Sequence, residues 1–223
     1  MIVCEEYKFV FVHIFKTAGT SIKRSLRRFA MPAWQECANV ILKRIGVSQF
    51  GPRRYPDHMR ASQLIDQIGM ERFQEYFSFA FVRNPWDLEL SHYKYILSRS
   101  CHPCHNEIMR LGCFSEYVRW RCDERFQLQS DFISNDQQVV VNFVGRFESL
   151  QNDFRYVCEQ IGVRSKLGQL NRTRLARYQD HYDDRTRELI AQTFAQDIEQ
   201  FEYRFDRPAS AASSVSSQAE QAA

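Results

Sequence analysis

The chain predicts an α/β fold: a doubly wound parallel sheet flanked by helices, built as a single domain over residues 1–206. Three observations carry this expectation. Two short runs, YKFVFVHI at 7–14 and YFSFAFV at 76–82, are nearly continuous in aromatic and β-branched residues, as strands buried on both faces are. Each run is followed by a short loop and then by an apolar stripe at helical spacing. The length, 223 residues, suits one α/β domain with chain enough to bury a core.

The elements follow in order. After the first strand, Ile22, Leu26 and Phe29 form an i, i+4, i+7 stripe, with Lys23, Arg24, Arg27 and Arg28 on other faces and Thr20 or Ser21 at the helix start. Residues 31–57 carry Pro32, Gly51, Pro52 and Pro56 and read as loops and short helices. A helix near 61–69 leads to the second strand. Next comes Arg83-Asn84-Pro85-Trp86-Asp87, in which Asn84 is an N-cap, Pro85 the first helical residue and Asp87 a complement to the helix dipole. Trp86, Leu90, Tyr93 and Leu97 form the inward stripe of that helix. A third strand is expected at Val139–Val144. A helix striped by Leu150, Phe154, Val157 and Ile161 should stop at Gly162, and a last helix should run from about Asp184 to Phe201. From Arg207 the chain turns Ala/Ser-rich, and 207–223 reads as a disordered tail.

Composition narrows the function. A net charge of +3 is too mild for a general nucleic-acid binder. Residues 1–60 hold 11 Lys/Arg against 4 Asp/Glu, whereas 61–223 hold 19 against 23, so the positive excess sits early and favours a small anionic ligand there. No run of 18 apolar residues spans a membrane, and MIVCEEYK lacks the basic start and cleavage site of a secretory signal. Seven cysteines, an odd number, point to reduced thiols and a cytoplasmic setting.

The chemistry concentrates in HIFKTAGTSI, His13–Ile22. A strand delivers one Lys, one Gly and three hydroxyls to a loop that opens a helix. Backbone N–H groups, the helix N-terminus, a mobile ammonium and hydroxyl donors together make an anion site. The order differs from G-x-x-x-x-G-K-[ST], because Lys16 precedes Gly19, and an ordinary strand–helix turn with a basic residue remains the plainer reading. FAFVRNPWDLELSHY, Phe79–Tyr93, repeats the arrangement: Arg83 stands where a buried strand ends, and Ser91 follows eight residues later on the helix. Two strand ends, each with an anion site, suit a ligand with two separated phosphates. An Arg that merely caps a strand is the alternative.

HIFKTAGTSI resembles the 5′-phosphosulfate loop of sulfotransferases, in the branch of carbohydrate 2-O-sulfotransferases and their bacterial relatives, and FVRNPWDLELS resembles the same family's 3′-phosphate segment. GRFESLQNDF at 145–154 and the stretches LNRTRLARY and DIEQFEYRF extend the resemblance over about residues 7–206. Phe15 stands where Pro is common, Ala18 where Gly is common, and Leu88 where a basic residue often follows the Asp. The resemblance implies a P-loop-NTPase-like fold and transfer of a sulfuryl group from 3′-phosphoadenosine 5′-phosphosulfate to an acceptor hydroxyl, on a carbohydrate, with no metal required. It implies that Lys16 neutralises the departing phosphate, and that Thr17, Ala18, Gly19, Thr20 and Ser21 cradle the 5′-phosphate. Arg83 and Ser91 would hold the 3′-phosphate, with Arg172 and Thr173 of LNRT closing over it.

An acceptor hydroxyl needs a general base at neutral pH. His58 in PDHMRASQL, in the loop between the two motifs, resembles the family's histidine in the same place. His13, at the end of a buried strand, reads as a packed core residue, whereas His92 is open between core and site. Arg146 and Glu148 of GRFE read as a structural ion pair. Trp34 and Trp120 are candidates either to stack a sugar ring or to fill the core. CHPCH at 101–105, with Cys113 and Cys122, carries a competing possibility, a zinc-stapled interaction module, although the later cysteines lack a second C-x-x-C. The region is otherwise expected to line the acceptor cleft. A P-loop kinase or NTPase is the other alternative, disfavoured by the Lys-before-Gly order.

Overall fold

The computed structural model describes residues 1–30, 55–123, 125–168 and 177–206, together with the backbone of 215–216. Its centre is three parallel strands in sequence order: β2 (Phe9–Val12), β3 (Phe77–Val82) and β6 (Phe143–Arg146). Phe9 lies beside Phe77 and Val12 beside Ala80, while Phe79 lies beside Phe143 and Val82 beside Arg146. Both edges are antiparallel. Strand β1 (Ile2–Cys4) pairs with β2, and β7 (Val215–Ser216) pairs with β6.

Strand alternation sends two different sets of side chains to the two faces. Phe9, Phe11, Phe79, Phe81 and Phe143 meet α1 (Gly19–Ala30) through Ile22 and Leu26, and α8 (Leu150–Gln160) through Leu150, Phe154 and Val157. Val10, Val12, Ala80, Val82 and Val144 face the other way. They pack on α2 (Ala61–Ile68) through Leu64 and Ile65, and on α3 (Met70–Gln74) through Phe73. Aromatic side chains therefore fill one face and smaller aliphatic ones the other, so helices lie on both faces of the parallel sheet.

A third cluster lies in the helices that follow the second motif. Helices α4 (Pro85–Leu97), α5 (His105–Leu111), α6 (Phe114–Cys122) and α9 (Asp184–Thr193) close around Trp86, Leu90, Ile108, Tyr117, Val118 and Ile190. The short α7 (Ser130–Ile133) leads into a hairpin, β4 (Ser134–Asn135) and β5 (Gln138–Val139).

Several expected boundaries move. The run 139–144 does not form one strand: Val139 ends β5, and the sheet strand begins only at Phe143. Asn142 explains the break, because its side-chain oxygen accepts from both the amide and the hydroxyl of Ser78, at 2.7 and 2.8 Å, which fixes the register at the entry to β6. The last helix is interrupted at Phe194, a residue outside helical geometry between α9 and α10 (Ala195–Gln200) whose ring is buried. Asn84 caps α4 as expected, accepting from the Trp86 amide at 3.1 Å. Helix α8 ends just before Gly162, whose φ of +68° suits a glycine. Most of the stretch 31–57, with Trp34 and Cys37, lies outside the described residues, as do Arg172 and Thr173.

Candidate active site

A cleft of about 580 Å³ opens beyond the carboxyl ends of β2 and β3. Lys16, Ala18, Gly19, Thr20, His58, Arg83 and Ser91 all line it, so residues far apart in sequence share one wall. Thr17 and Ser21, expected in the same cradle, do not line it. Thr17 is fully buried, and its hydroxyl donates to the Ile14 carbonyl at 2.9 Å, tying the loop to the strand that precedes it. The amides of Ser21 and Ile22 both donate to the Ala18 carbonyl, which starts α1 and leaves the preceding N–H groups without intrahelical partners.

The loop is held in an unusual shape. Lys16 and Ala18 have φ of +61° and +66°, a left-handed conformation that costs a residue with a Cβ roughly 1–2 kcal/mol. Gly19 has a different reason to be glycine: a Cβ there would lie 1.8 Å from Cδ2 and Nε2 of His13. The His13 ring thus sits directly over the start of the helix. It is buried and stacked on Phe11, as a core histidine would be, but it also lines the cleft and approaches the His58 ring at 4.5 Å between centroids. Burial pushes its pKa down to about 3, so it is a neutral part of the wall.

Arg83 is fixed from every side. Its Nε donates to Asp87 at 2.8 Å, a terminal nitrogen donates to the Lys16 carbonyl at 3.0 Å, and the guanidinium lies 3.9 Å from the centre of the Phe147 ring. The Gln129 side chain grips the Arg83 backbone, accepting from its amide and donating to its carbonyl, both at 2.8 Å. Lys16 has a looser setting. Its ammonium lies 4.1 Å from the centre of the Tyr95 ring, and among the described residues no carboxylate pairs with it. Burial, then the nearby charges of Arg83 and Arg99, lowers its pKa to about 8.

His58 stands in an exposed position at the cleft edge. Its Nδ1 lies 3.1 Å from the His13 carbonyl, which can only accept, so Nδ1 carries the proton and Nε2 keeps its lone pair. Arg146 and Glu148 make no ion pair with each other. Arg146 lies over the Tyr203 ring, and Glu148 accepts from the Asn84 amide at 2.7 Å and from the Tyr203 hydroxyl at 3.2 Å. Glu148 therefore supports the turn that carries Arg83.

Gln129, Phe147 and Tyr95 carry no motif signal, whereas His92, open between core and site in the sequence, lines the cleft. The contact between Arg83 and Asp87 had a visible signal, a four-residue spacing across a helix start. The clamp from Gln129 had none, since it depends on how α7 docks. Of the 101–122 region, His102 and Arg121 reach the cleft; Trp120 points elsewhere, its Nε1 donating to Glu107 at 2.7 Å. Cys101, Cys104, Cys113 and Cys122 do not gather: among the described residues, no group of three or more His, Cys, Asp or Glu is placed to hold a metal ion.

A parallel sheet flanked by helices, with a cationic cleft at its carboxyl edge, defines an α/β protein built to take an anionic ligand. The chain matches the sulfotransferase family over residues 1–204, and it belongs to that family. Its general activity is therefore transfer of a sulfuryl group from a sulfate donor to a hydroxyl acceptor. It is also 30% identical, over 112 residues, to an uncharacterized protein of Archaeoglobus fulgidus, covering 49% of this chain and 87% of that one. Among the described residues no helix is long and apolar enough to cross a membrane.

Proposed function

We propose that the chain transfers the sulfuryl group of 3′-phosphoadenosine 5′-phosphosulfate to a carbohydrate hydroxyl, as a bacterial-type relative of the 2-O-sulfotransferases. The observation that carries this reading is the meeting of the two motifs. Lys16 and Arg83 leave adjacent parallel strands, line one cleft and are joined by the 3.0 Å hydrogen bond from Arg83 to the Lys16 carbonyl. The cleft volume, about 580 Å³, lies within the range of small-molecule sites.

In this reading the donor's 5′-phosphate rests on the helix start at Ala18, Gly19 and Thr20. Thr17 contributes its backbone, because its hydroxyl is committed to Ile14, and Ser21 supports the first turn. Lys16 meets the charge that develops on the oxygen leaving sulfur. The free donors of Arg83, with Ser91, hold the 3′-phosphate, and Arg172 and Thr173 close over it. His58 receives the acceptor's proton on the lone pair of Nε2. The reaction is an in-line displacement driven by positioning and charge, and it calls for no metal.

Thermal unfolding with adenosine 3′,5′-bisphosphate, ATP and AMP tests the donor site without knowledge of the acceptor. At about 100 times its dissociation constant the bisphosphate should stabilise the fold by about 2.7 kcal/mol. AMP should give a much smaller shift. A response to ATP with Mg²⁺ and none to the bisphosphate would favour a nucleotide kinase or NTPase instead.

A further inference from the structure

Beside the phosphate loop, the cleft wall holds a chain of buried polar groups that the donor site does not use. Glu89 of α4 and Tyr117 of α6 are both fully buried. The Tyr117 hydroxyl lies 2.7 Å from Glu89 Oε2 and 3.1 Å from His92 Nδ1, and Arg121 Nε donates to both Glu89 oxygens at 3.1 and 3.3 Å.

The proton positions follow from counting donors. The Glu89 carboxylate accepts from Arg121 at both oxygens and acts only as an acceptor. Tyr117 has a single hydroxyl proton, which goes to the carboxylate 2.7 Å away. The 3.1 Å contact to His92 must then be made by a proton on Nδ1, and Glu89 Oε2, 4.0 Å from the same nitrogen, favours the same tautomer. His92 Nε2 is therefore left with a lone pair, on a side chain that lines the cleft beside Phe15, at 5.5 Å between ring centres.

We propose that His92 takes the place of His58 as acceptor of the single O–H proton of the hydroxyl that receives the sulfuryl group, with Tyr117 and Glu89 as positioning residues that fix its tautomer and offset the charge it gains. This rests on the sulfuryl-transfer reading above. The acceptor's O–H proton passes to His92 Nε2, giving an imidazolium. The acceptor oxygen bonds to sulfur while the bond from sulfur to the bridging phosphate oxygen breaks. The electron pair of that bond leaves with the bisphosphate, next to Lys16.

The relay sets His92 apart from His58. Protonated His58 would have only a neutral carbonyl behind its Nδ1, whereas protonated His92 has a carboxylate one hydrogen bond further on. The groups facing His92 are Glu89 on its own helix, Tyr117 and Arg121 on α6, His102 beyond α4 and Lys16 of the loop. Burial, opposed by Glu89 and reinforced by Arg121, holds its pKa down to about 4, so the lone pair is available at neutral pH.

The full chain, labelled with ¹⁵N, reports the tautomer directly through long-range ring correlations, with His92 assigned by its loss in His92→Gln. At pH 7 the parent should show a protonated Nδ1 and a bare Nε2, and Tyr117→Phe should weaken that preference. A protonated Nε2 in the parent, or an unchanged ring in Tyr117→Phe, overturns the relay. Release of inorganic sulfate from 3′-phosphoadenosine 5′-phosphosulfate, with water as acceptor, supplies the second readout. His92→Gln and Tyr117→Phe should each lower kcat at least tenfold and leave adenosine 3′,5′-bisphosphate affinity within twofold. Glu89→Gln guards against a folding defect peculiar to Tyr117→Phe, and should lower kcat in the same direction. Parent-like kcat in His92→Gln overturns the proposal, while a parent that fails to bind the bisphosphate overturns the donor reading instead.

Discussion

Lys16 and Arg83 stand at the ends of neighbouring strands and touch the same cleft, yet they are held in opposite ways. Arg83 has a carboxylate, a main-chain carbonyl, an aromatic face and a glutamine clamp around it, with its side chain 4% exposed. Lys16 rests on one tyrosine ring, carries no carboxylate partner among the described residues, and sits on backbone of positive φ. A group that recognises a fixed phosphate benefits from being immobile, because little side-chain entropy is lost on binding. A group that must follow charge as a bond breaks benefits from a point charge with no competing anion. The contrast suits Arg83 to binding and Lys16 to chemistry.

The largest effect should come from Lys16. In the proposed reading Lys16 meets the charge of the leaving phosphate, so Lys16→Ala should cut turnover by about 10²–10³-fold. Among the described residues it removes no ion pair, and it relieves the cost of burying a charged ammonium, so the unfolding midpoint at neutral pH should not fall. A rate assay and a melting curve on one sample check both halves. The pH dependence sharpens the point. With a pKa near 8 in the folded protein against 10.5 for a free lysine, Lys16 has lost a proton between those values that the unfolded chain still holds. Stability of the ligand-free protein should therefore rise with pH across about 8 to 10.5. Bisphosphate binding should draw that proton back, so affinity should fall as pH climbs above about 8, and this fall should vanish in Lys16→Ala. Calorimetry in buffers of different ionisation heat reads the proton uptake.

Arg83→Ala should fail differently. In the proposed reading it strips a charge-assisted contact from the 3′-phosphate, and it should weaken bisphosphate binding by roughly 1.5–3 kcal/mol, or about 10- to 150-fold. It also leaves Asp87 without its partner in a largely buried turn, at a stability cost of about 3 kcal/mol. Titration calorimetry and chemical denaturation separate the two losses. Equal affinity in parent and variant would remove Arg83 from the binding site and with it the division of labour.

How far each region could be read from sequence differs for the same physical reason. The strand ends, the Asn84 cap, the α1 stripe and the cationic residues are local signals, set by residue spacing along one element, and Lys16, Arg83, Ser91 and His58 all reach the cleft. The surroundings of those residues are not local. Gln129 meets Arg83 across a separation of 46 residues, and Tyr117 meets His92 across 25. Glu148 follows Arg146 closely enough to suggest an ion pair, but it turns to an amide 64 residues away. The antiparallel β1 was missed because three residues give too short a pattern to read. Thr17 reads as a ligand hydroxyl in the sequence, which does not show that its Oγ1 is already spent on Ile14.

The smallest effect concerns the strain beneath Lys16. Ala18 has a φ of +66°, and this left-handed backbone is one that glycine adopts at no steric cost. Among residues 83–87 none has positive φ, so the cost is confined to the lysine side. Ala18→Gly should relieve roughly 1–2 kcal/mol of backbone strain. Part of that gain is offset by the greater freedom of glycine in the unfolded chain, about 0.5–1 kcal/mol, and by loss of a methyl that packs against the aromatic face of the sheet. The net gain should be under about 1 kcal/mol, a rise of at most a few degrees in the unfolding midpoint. Because the loop is tied just before Ala18, by Thr17 to Ile14 and by Arg83 to Lys16, bisphosphate affinity should change little. A clear loss of affinity in Ala18→Gly would instead mean that the alanine, and not those two ties, holds Lys16 in place, and that the lysine side is more rigid than its contacts indicate.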